Sequence, residues 1–210
     1  MSSNALINIK NALKSEKIIL GSGSPRRKEI FEYLNLNFEI QKPDFDEEAV
    51  WETYESTKSY KSGINYFQNR KINELLETTV KGKVSCIQSH IPIFCFDTIV
   101  VKDGRYFGKP RNKKIAKEYL SQLANGWQKV ITGCAVKYNE FLLYKQVTSK
   151  VRFKKLTEAD IDRYLESEDS ADAVGAYKVQ GKGLSLVREI KGCYHNVVGL
   201  PLSFMSELME

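Results

Sequence analysis

The sequence predicts an α/β protein built around a mixed β-sheet. Three observations lead there. Strand-like and helix-like patterns alternate along most of the 210 residues. The run Ile93-Phe94-Cys95-Phe96-Asp97-Thr98-Ile99-Val100-Val101 is almost wholly apolar, β-branched or aromatic, as expected of a strand covered on both faces. A glycine and serine loop, Gly21-Ser22-Gly23-Ser24, joins a buried strand to the start of a helix. The length permits one large domain or two modest lobes. Residues 1–17 are read as an N-terminal extension, and no linker divides 18–210, which is taken as one domain.

Each element has its own signal. Ile18-Ile19-Leu20 reads as a buried strand. The next helix has Ser24 as N-cap, Pro25 at its first position and Ile30, Phe31 and Leu34 as its apolar face. Phe38 and Ile40 begin a second short strand. Residues 42–62 are polar and acidic, a loop or a loosely held helix. Ile64, Phe67, Ile72, Leu75 and Leu76 recur at helical spacing and predict a helix from about Ser62 to Leu76, with a loop over Lys81–Pro92. After the strand 93–101, Asp103-Gly104 is a turn signal. Asn112 caps a helix whose inner face is Ile115, Ala116, Tyr119, Leu120 and Leu123. Strands are expected at 127–137 and 141–153, and Thr157 with Asp160 forms a capping box for a helix through Ile161, Tyr164 and Leu165. The last third reads as glycine-punctuated and strand-rich, closing in a short helix after Pro201.

Composition narrows the class. With 42% hydrophobic and 28% charged residues the chain has an ordinary globular make-up. Its longest apolar stretch, Ile91 to Val101, is interrupted by Pro92 and Asp97, so no membrane span is expected. Residues 1–17 lack the apolar core and cleavage site of a secretory signal; with Lys10 and Lys14 ahead of any acidic residue, the alternative to a plain extension is a short amphipathic transit segment. Cys86, Cys95, Cys134 and Cys193 form no CxxC pair, which suits free thiols in a reducing cytoplasm. A net charge of +6 suits an anionic partner: nucleic acid, an acidic membrane or a polyphosphate. The basic residues are scattered, so charge alone does not choose among them.

Several residues stand out chemically. Backbone N–H groups of the Gly21–Ser24 loop and the following helix dipole make an anion site. Arg26 and Arg27 oppose that dipole unless a polyphosphate is bound, and they offer it bidentate contacts. The alternative is a solvated loop, and the P-loop pattern is absent. Asp97 lies within an apolar strand, where a carboxylate is costly unless it is paired, binds metal or acts as a base. Asp44, Asp46, Glu47 and Glu48 form an acidic cluster that is either a solvated loop or, with Asp97, a source of oxygen ligands for a hard cation. Lys71, on an apolar helix face, is a phosphate clamp or a snorkelling lysine. Lys109, in Gly108-Lys109-Pro110, is on spacing alone an exposed turn lysine. In the segment Gly175–Gly183, Tyr177 and Gln180 are candidates to stack on or hydrogen-bond to a base, or else the segment is a bare hairpin.

Taken in order, these segments resemble the Maf family of nucleoside triphosphate pyrophosphatases, also described as septum-formation-inhibitor-like proteins. The resemblance runs from residue 18 to 202 through Gly21–Arg27, Asp46-Glu47, Lys71, Asp97-Thr98-Ile99-Val100 and Gly108-Lys109-Pro110. It continues with Thr132-Gly133, Gly175-Ala176-Tyr177, Gln180-Gly181 and Asn196–Leu202. It implies a twisted mixed sheet flanked by helices, in two lobes with an active-site cleft between them. It also implies a divalent metal (Mg²⁺, Mn²⁺ or Co²⁺) and cleavage between the α- and β-phosphates. By the same resemblance, Asp97, Glu47, Lys71 and Lys109 would take the catalytic roles, with Asp97 and Glu47 at the metal, and Ser22, Ser24, Arg26, Arg27, Thr98 and Gln180 would bind substrate.

Arg26, Thr98 and Gln180 match the branch that acts on dTTP and UTP. The alternatives are 7-methyl-GTP, inosine or xanthosine triphosphate as substrate, or a non-catalytic nucleotide-binding regulator of cell division. The expected role is sanitation of the nucleotide pool in the cytoplasm, with no membrane, no stable nucleic acid and a homodimer as partners. The chain departs from the family pattern in four places: Phe96 where a small residue is usual, Gln128 where His is frequent, Ala173-Val174 for a basic-then-small pair, and a long interval from Lys71 to Asp97.

Overall fold

A computed structural model describes residues 3–15, 17–56, 66–167 and 170–210. It contains helices α1 (Ser3–Ser15), α2 (Pro25–Tyr33), α3 (Glu47–Ser56), α4 (Tyr66–Ser85), α5 (Lys113–Leu123), α6 (Glu158–Ser167), α7 (Tyr194–Val198) and α8 (Leu202–Met209). The strands are β1 (Ile18–Gly21), β2 (Phe38–Ile40), β3 (Ile93–Lys102), β4 (Arg105–Phe107), β5 (Trp127–Tyr138), β6 (Phe141–Phe153) and β7 (Val187–Lys191). They form one seven-stranded sheet in the order β2-β1-β3-β5-β6-β7, with β4 paired to β3. Its pairings are mixed: β1 is parallel to β2 and to β3, whereas β3–β4 and β6–β7 are antiparallel. The fold is therefore the α/β arrangement with a mixed sheet that the alternating pattern predicts.

The chain forms two compact units. The first comprises residues 1–97, 133–147 and 202–210, and the second 98–132 and 148–201. In the first, all four residues of β1 are buried, and Phe31 sits edge-to-face against Phe38, Phe94 and Phe96 with centroids 5.2, 6.0 and 6.3 Å away. Such rings contribute packing beyond simple area burial. In the second, α5 packs on α6, and Phe107, Leu120, Leu123, Phe153 and Ile161 are buried. Both cap signals hold: Asn112 Oδ1 accepts from Ile115 N at 2.9 Å, and Thr157 and Asp160 exchange side-chain–backbone bonds at 2.9 and 3.2 Å.

Two elements gain definition and two expectations change. The N-terminal extension carries a helix, with Ile9 1% and Ala12 3% exposed, packed against α8. In the acidic stretch after β2 the helical alternative holds as α3, capped by Asp46 through a bond from Ala49 N at 3.0 Å. The helix expected over 62–76 runs on to Ser85; its expected start, 62–65, lies outside the described residues. Val80 and Val84 are buried and extend its apolar face past Leu76, so the expected loop at 81–92 is half helix. After α6 only one strand, β7, follows among the described residues, since residues 174–176 and 181–186 form 3₁₀ turns. No helix among the described residues is long and apolar enough to cross a membrane.

Helix α1 provides a direct test. Ile9→Ala is expected to cost about 2–4 kcal/mol in urea unfolding. Ile7→Ala, at a position 51% exposed, is expected to stay within about 0.5 kcal/mol. Equal effects would mean that α1 does not dock as described.

Candidate active site

The loop after β1 is organised by a side chain within it. Ser24 occupies the N-cap position of α2 but makes no side-chain cap. Instead the buried Ser22 Oγ accepts from Ser24 N at 3.2 Å and from Arg27 Nη1 at 3.1 Å. With both lone pairs engaged, the hydroxyl proton is what Ser22 can offer an anion. Arg27 is only 9% exposed and lies over the Phe96 ring, 5.8 Å from its centroid. Phe96, bulky where a small residue is usual, thus forms a floor for the guanidinium. Burial pulls the Arg27 pKa below its ordinary value, against the fields of Asp97 and then Glu47, which raise it. Arg26 is partly buried in the first turn of α2. The Lys42 side chain lies across Gly23 and brings a further cation to the loop.

The second cluster centres on Lys83, which the sequence reading missed. Its ammonium, 5% exposed, lies 2.8 Å from Glu47 Oε1 and 3.7 Å from Asp97 Oδ1, and donates to Phe96 O at 3.2 Å. Asp97 is largely shielded, with 14% of its side chain exposed, while Glu47 keeps 39%. A buried ammonium needs such partners. Local structure supplies them: a Cβ on Gly82 would fall 2.2 Å from the Phe45 ring, so glycine lets Phe45 lie on α4. Glu47, two residues on, then starts α3 beside Lys83.

Lys71, the lysine expected here, precedes Lys83 by twelve residues on the same helix, or about 18 Å at 1.5 Å per residue. Lys83 is the lysine that pairs with both Glu47 and Asp97. The sequence reading passed over it because it ended the helix at Leu76, which left Lys83 in a supposed loop. The available signal was its spacing: Ile72, Leu76, Val80 and Lys83 continue one face, and the long interval from Lys71 to Asp97 pointed the same way. Of the acidic cluster, only Glu47 joins Lys83, whereas Asp44, Asp46 and Glu48 are exposed.

Thr98, Lys109 and Gln180 belong to the second unit. Thr98 Oγ1 pairs with Thr132 Oγ1 at 3.0 Å. Lys109 is exposed in the turn after β4, next to Gly108, whose carbonyl accepts from Gly175 N at 2.9 Å. Gln180 is exposed and precedes the 181–186 turn. Tyr177, one of two candidates to stack on or hydrogen-bond to a base, is core: it is 6% exposed and edge-on to Phe153 at 4.8 Å. Gln128, where His is frequent, is 1% exposed and lies beside the Tyr177 hydroxyl, and its amide nitrogen is placed to donate to Gly126 O and Val151 O at 3.2 Å. It is a packing residue. All four cysteines are free thiols, and burial pushes the Cys95 thiol up to about 12.

Could the first unit hold a metal? No group of three or more His, Cys, Asp and Glu side chains suited to one occurs among the described residues. Glu47 and Asp97 offer two carboxylates, the small set that suffices for a hard cation whose other ligands are phosphate oxygens and water.

The chain is similar to known proteins over most of its length. The family described as "Maf-like protein" matches residues 17–210. A protein of Acetivibrio thermocellus named dTTP/UTP pyrophosphatase is 35% identical over 208 residues, covering 92% of this chain and 94% of its own length. Proteins of the same name from Halalkalibacterium halodurans and Clostridioides difficile are 38% and 36% identical over 189 and 196 residues, covering 89% and 92% of this chain and 90% and 93% of their own lengths.

The loop's tight seat generates two predictions. A Cβ on Gly21 would lie 2.3 Å from the buried Cys95 Sγ. Gly21→Ala is therefore expected to cost about 1–3 kcal/mol by overpacking, and Cys95→Ala in the same chain to recover most of it. If the second change recovers nothing, that contact is not the cause. The raised Cys95 pKa also sets a sign. Its contribution to stability is complete below the ordinary thiol value of 9.0 and is lost as pH rises toward about 12. Melting followed from pH 8 to 11 should show a loss that Cys95→Ala flattens.

Proposed function

The chain belongs to the Maf-like protein family, and from that premise we propose that it is a nucleoside triphosphate pyrophosphatase acting on dTTP and UTP. Water and the triphosphate give the monophosphate and pyrophosphate. The observation that carries this reading is the convergence of Ser22 and Arg27 at an anion-binding loop with Lys83, Glu47 and Asp97. The names of the relatives support the choice of nucleotides.

Phosphoryl transfer asks little of a protein beyond positioning and neutralising charge. Arg27, seated over Phe96 and tied to Ser22, presents a fixed guanidinium to phosphate oxygens. Arg26 and the Ser22 hydroxyl add donors beside it, and Ser24 lies in the same loop. Asp97 accepts the proton of the attacking water as its oxygen bonds to phosphorus and the pyrophosphate oxygen leaves. Lys83 holds Asp97 and Glu47 together, and Lys71, expected as a phosphate clamp, lies farther along α4. Glu47 and Asp97 would hold a divalent cation, which when bound supplies charge neutralisation and polarises the phosphoryl oxygens. Lys109 serves as a further cation for phosphate, and Thr98 and Gln180 meet the nucleoside. Four free thiols suit a cytoplasmic enzyme.

The test is pyrophosphate release from dTTP, UTP, 7-methyl-GTP, inosine triphosphate and xanthosine triphosphate with Mg²⁺, Mn²⁺ or Co²⁺. We expect dTTP and UTP to lead and EDTA to abolish turnover. Asp97→Asn should lower kcat by about 10²–10⁴-fold. Lys83→Ala should lower kcat/KM by about 10²-fold or more, as for loss of one fixed charge at a transition state, and Lys71→Ala by far less. Equal turnover by wild type and Asp97→Asn, or none on any nucleotide, would sink the proposal.

A further inference from the structure

The second unit carries a basic face that the pyrophosphatase reading does not use. In β5 the side chains of Gln128 and Val130 are buried, so Trp127 and Lys129, at the alternate positions, point to the opposite face. Lys129 is exposed and Trp127 half-buried. Two cations from the neighbouring strands meet Trp127 there. The Lys191 ammonium of β7 lies 4.9 Å, and the Arg152 guanidinium of β6 5.9 Å, from the centroid of its ring. The β6–β7 register sets Lys150 directly opposite Lys191 and Arg152 opposite Glu189, so these four share that face. Four basic side chains thus stand beside one carboxylate, Glu189, which lies 3.4 Å from Lys191. Lys129, Lys150 and Arg152 have no carboxylate partner among the described residues. Like charges directly opposite each other in a sheet are destabilising. Lys150 against Lys191 therefore costs stability that a polyanion on this face would return.

We propose that the Trp127 face of β5, β6 and β7 is a docking surface for single-stranded nucleic acid. Sheet faces that bind single strands combine cations for the phosphodiester backbone with an aromatic ring on which a base stacks. Lys129, Lys150 and Arg152 supply the first. Trp127 supplies the second: Lys191 is exposed, so its ammonium can leave the ring for a phosphate and yield the ring to a base. An anionic membrane fits less well, because none of the exposed large apolar side chains among the described residues belongs to these positions. The association is of the weak, salt-dependent kind, with Kd on the order of 10⁻⁵ M, and not a stable complex. It is independent of the pyrophosphatase reading.

The experiment titrates the full chain with a mixed-sequence single-stranded DNA of about 20 nucleotides across a salt series, read by anisotropy and by tryptophan fluorescence. For wild type, log K should fall against log[salt] with a slope of about −2 to −3, as for three or four phosphates neutralised on a single strand. Binding should quench tryptophan fluorescence, and Trp127→Phe should abolish the quenching, since the other tryptophan, Trp51, is buried in α3 of the first unit. A duplex of the same sequence should not quench, because its bases are already stacked. Lys150→Glu should weaken binding about tenfold or more and make the slope shallower by about 1. It should keep the melting temperature at or above that of wild type, because it replaces a like-charged pair with an opposite one. If Lys150→Glu does not fold, Lys129→Ala combined with Lys150→Ala must show the same loss. Four results each overturn the inference: no binding at about 50 mM salt, affinity unchanged by Lys150→Glu, equal quenching by the duplex, or equal affinity for polyglutamate or phosphatidylserine vesicles.

Discussion

Moving an ammonium group from water into a protein interior costs several kcal/mol unless oxygens surround it, and Lys83 is surrounded by three. Glu47, Asp97 and the Phe96 carbonyl come from two separate elements, the start of α3 and the middle of β3. Their convergence on one buried charge ties α4 to both. The dependence is mutual, since two carboxylates brought this close repel each other without the lysine. A site made in this way is stiff, because moving any member exposes a charge to an unfavourable neighbour.

Around that centre the aromatic core serves electrostatics as well as packing. Phe96 contacts Phe31, Phe94 and Phe204 on the core side and carries the Arg27 guanidinium on another. Burial there disfavours the charged arginine, and the carboxylates offset it. The first unit thus holds two buried cations opposite two carboxylates, with the Gly/Ser loop and its backbone N–H groups at the edge. Such an arrangement suits a ligand that is itself highly charged and that displaces water when it binds.

Legibility varied with the range of the signal. The caps at Asn112 and at Thr157 with Asp160 could be read because a cap is decided within three or four residues. The strand 93–102 could be read because a short, continuous apolar run rich in β-branched and aromatic residues fits a strand covered on both faces. The extent of α4 could not: Lys81, Gly82, Lys83 and Ser85 look like a loop until Phe45 and the carboxylates arrive to cover them. The N-terminal helix was missed for a similar reason, as its apolar face is short and meaningful only against α8. Tyr177 was open to either reading: a tyrosine between glycines fits a ligand contact or a bare hairpin, and only its edge-on packing against Phe153 decides for the core.

By itself the sequence determined the α/β class, the strand–loop–helix anion site, the exceptional status of Asp97 and the family, because these rest on local pattern and ordered motifs. Only the tertiary structure decided which lysine meets the carboxylates, that Ser22 rather than Ser24 organises the loop, and that Thr98 pairs with Thr132. Those choices depend on partners distant in the chain, and hydrogen-bond direction and charge pairing are settled by proximity in space, which spacing along the chain does not encode.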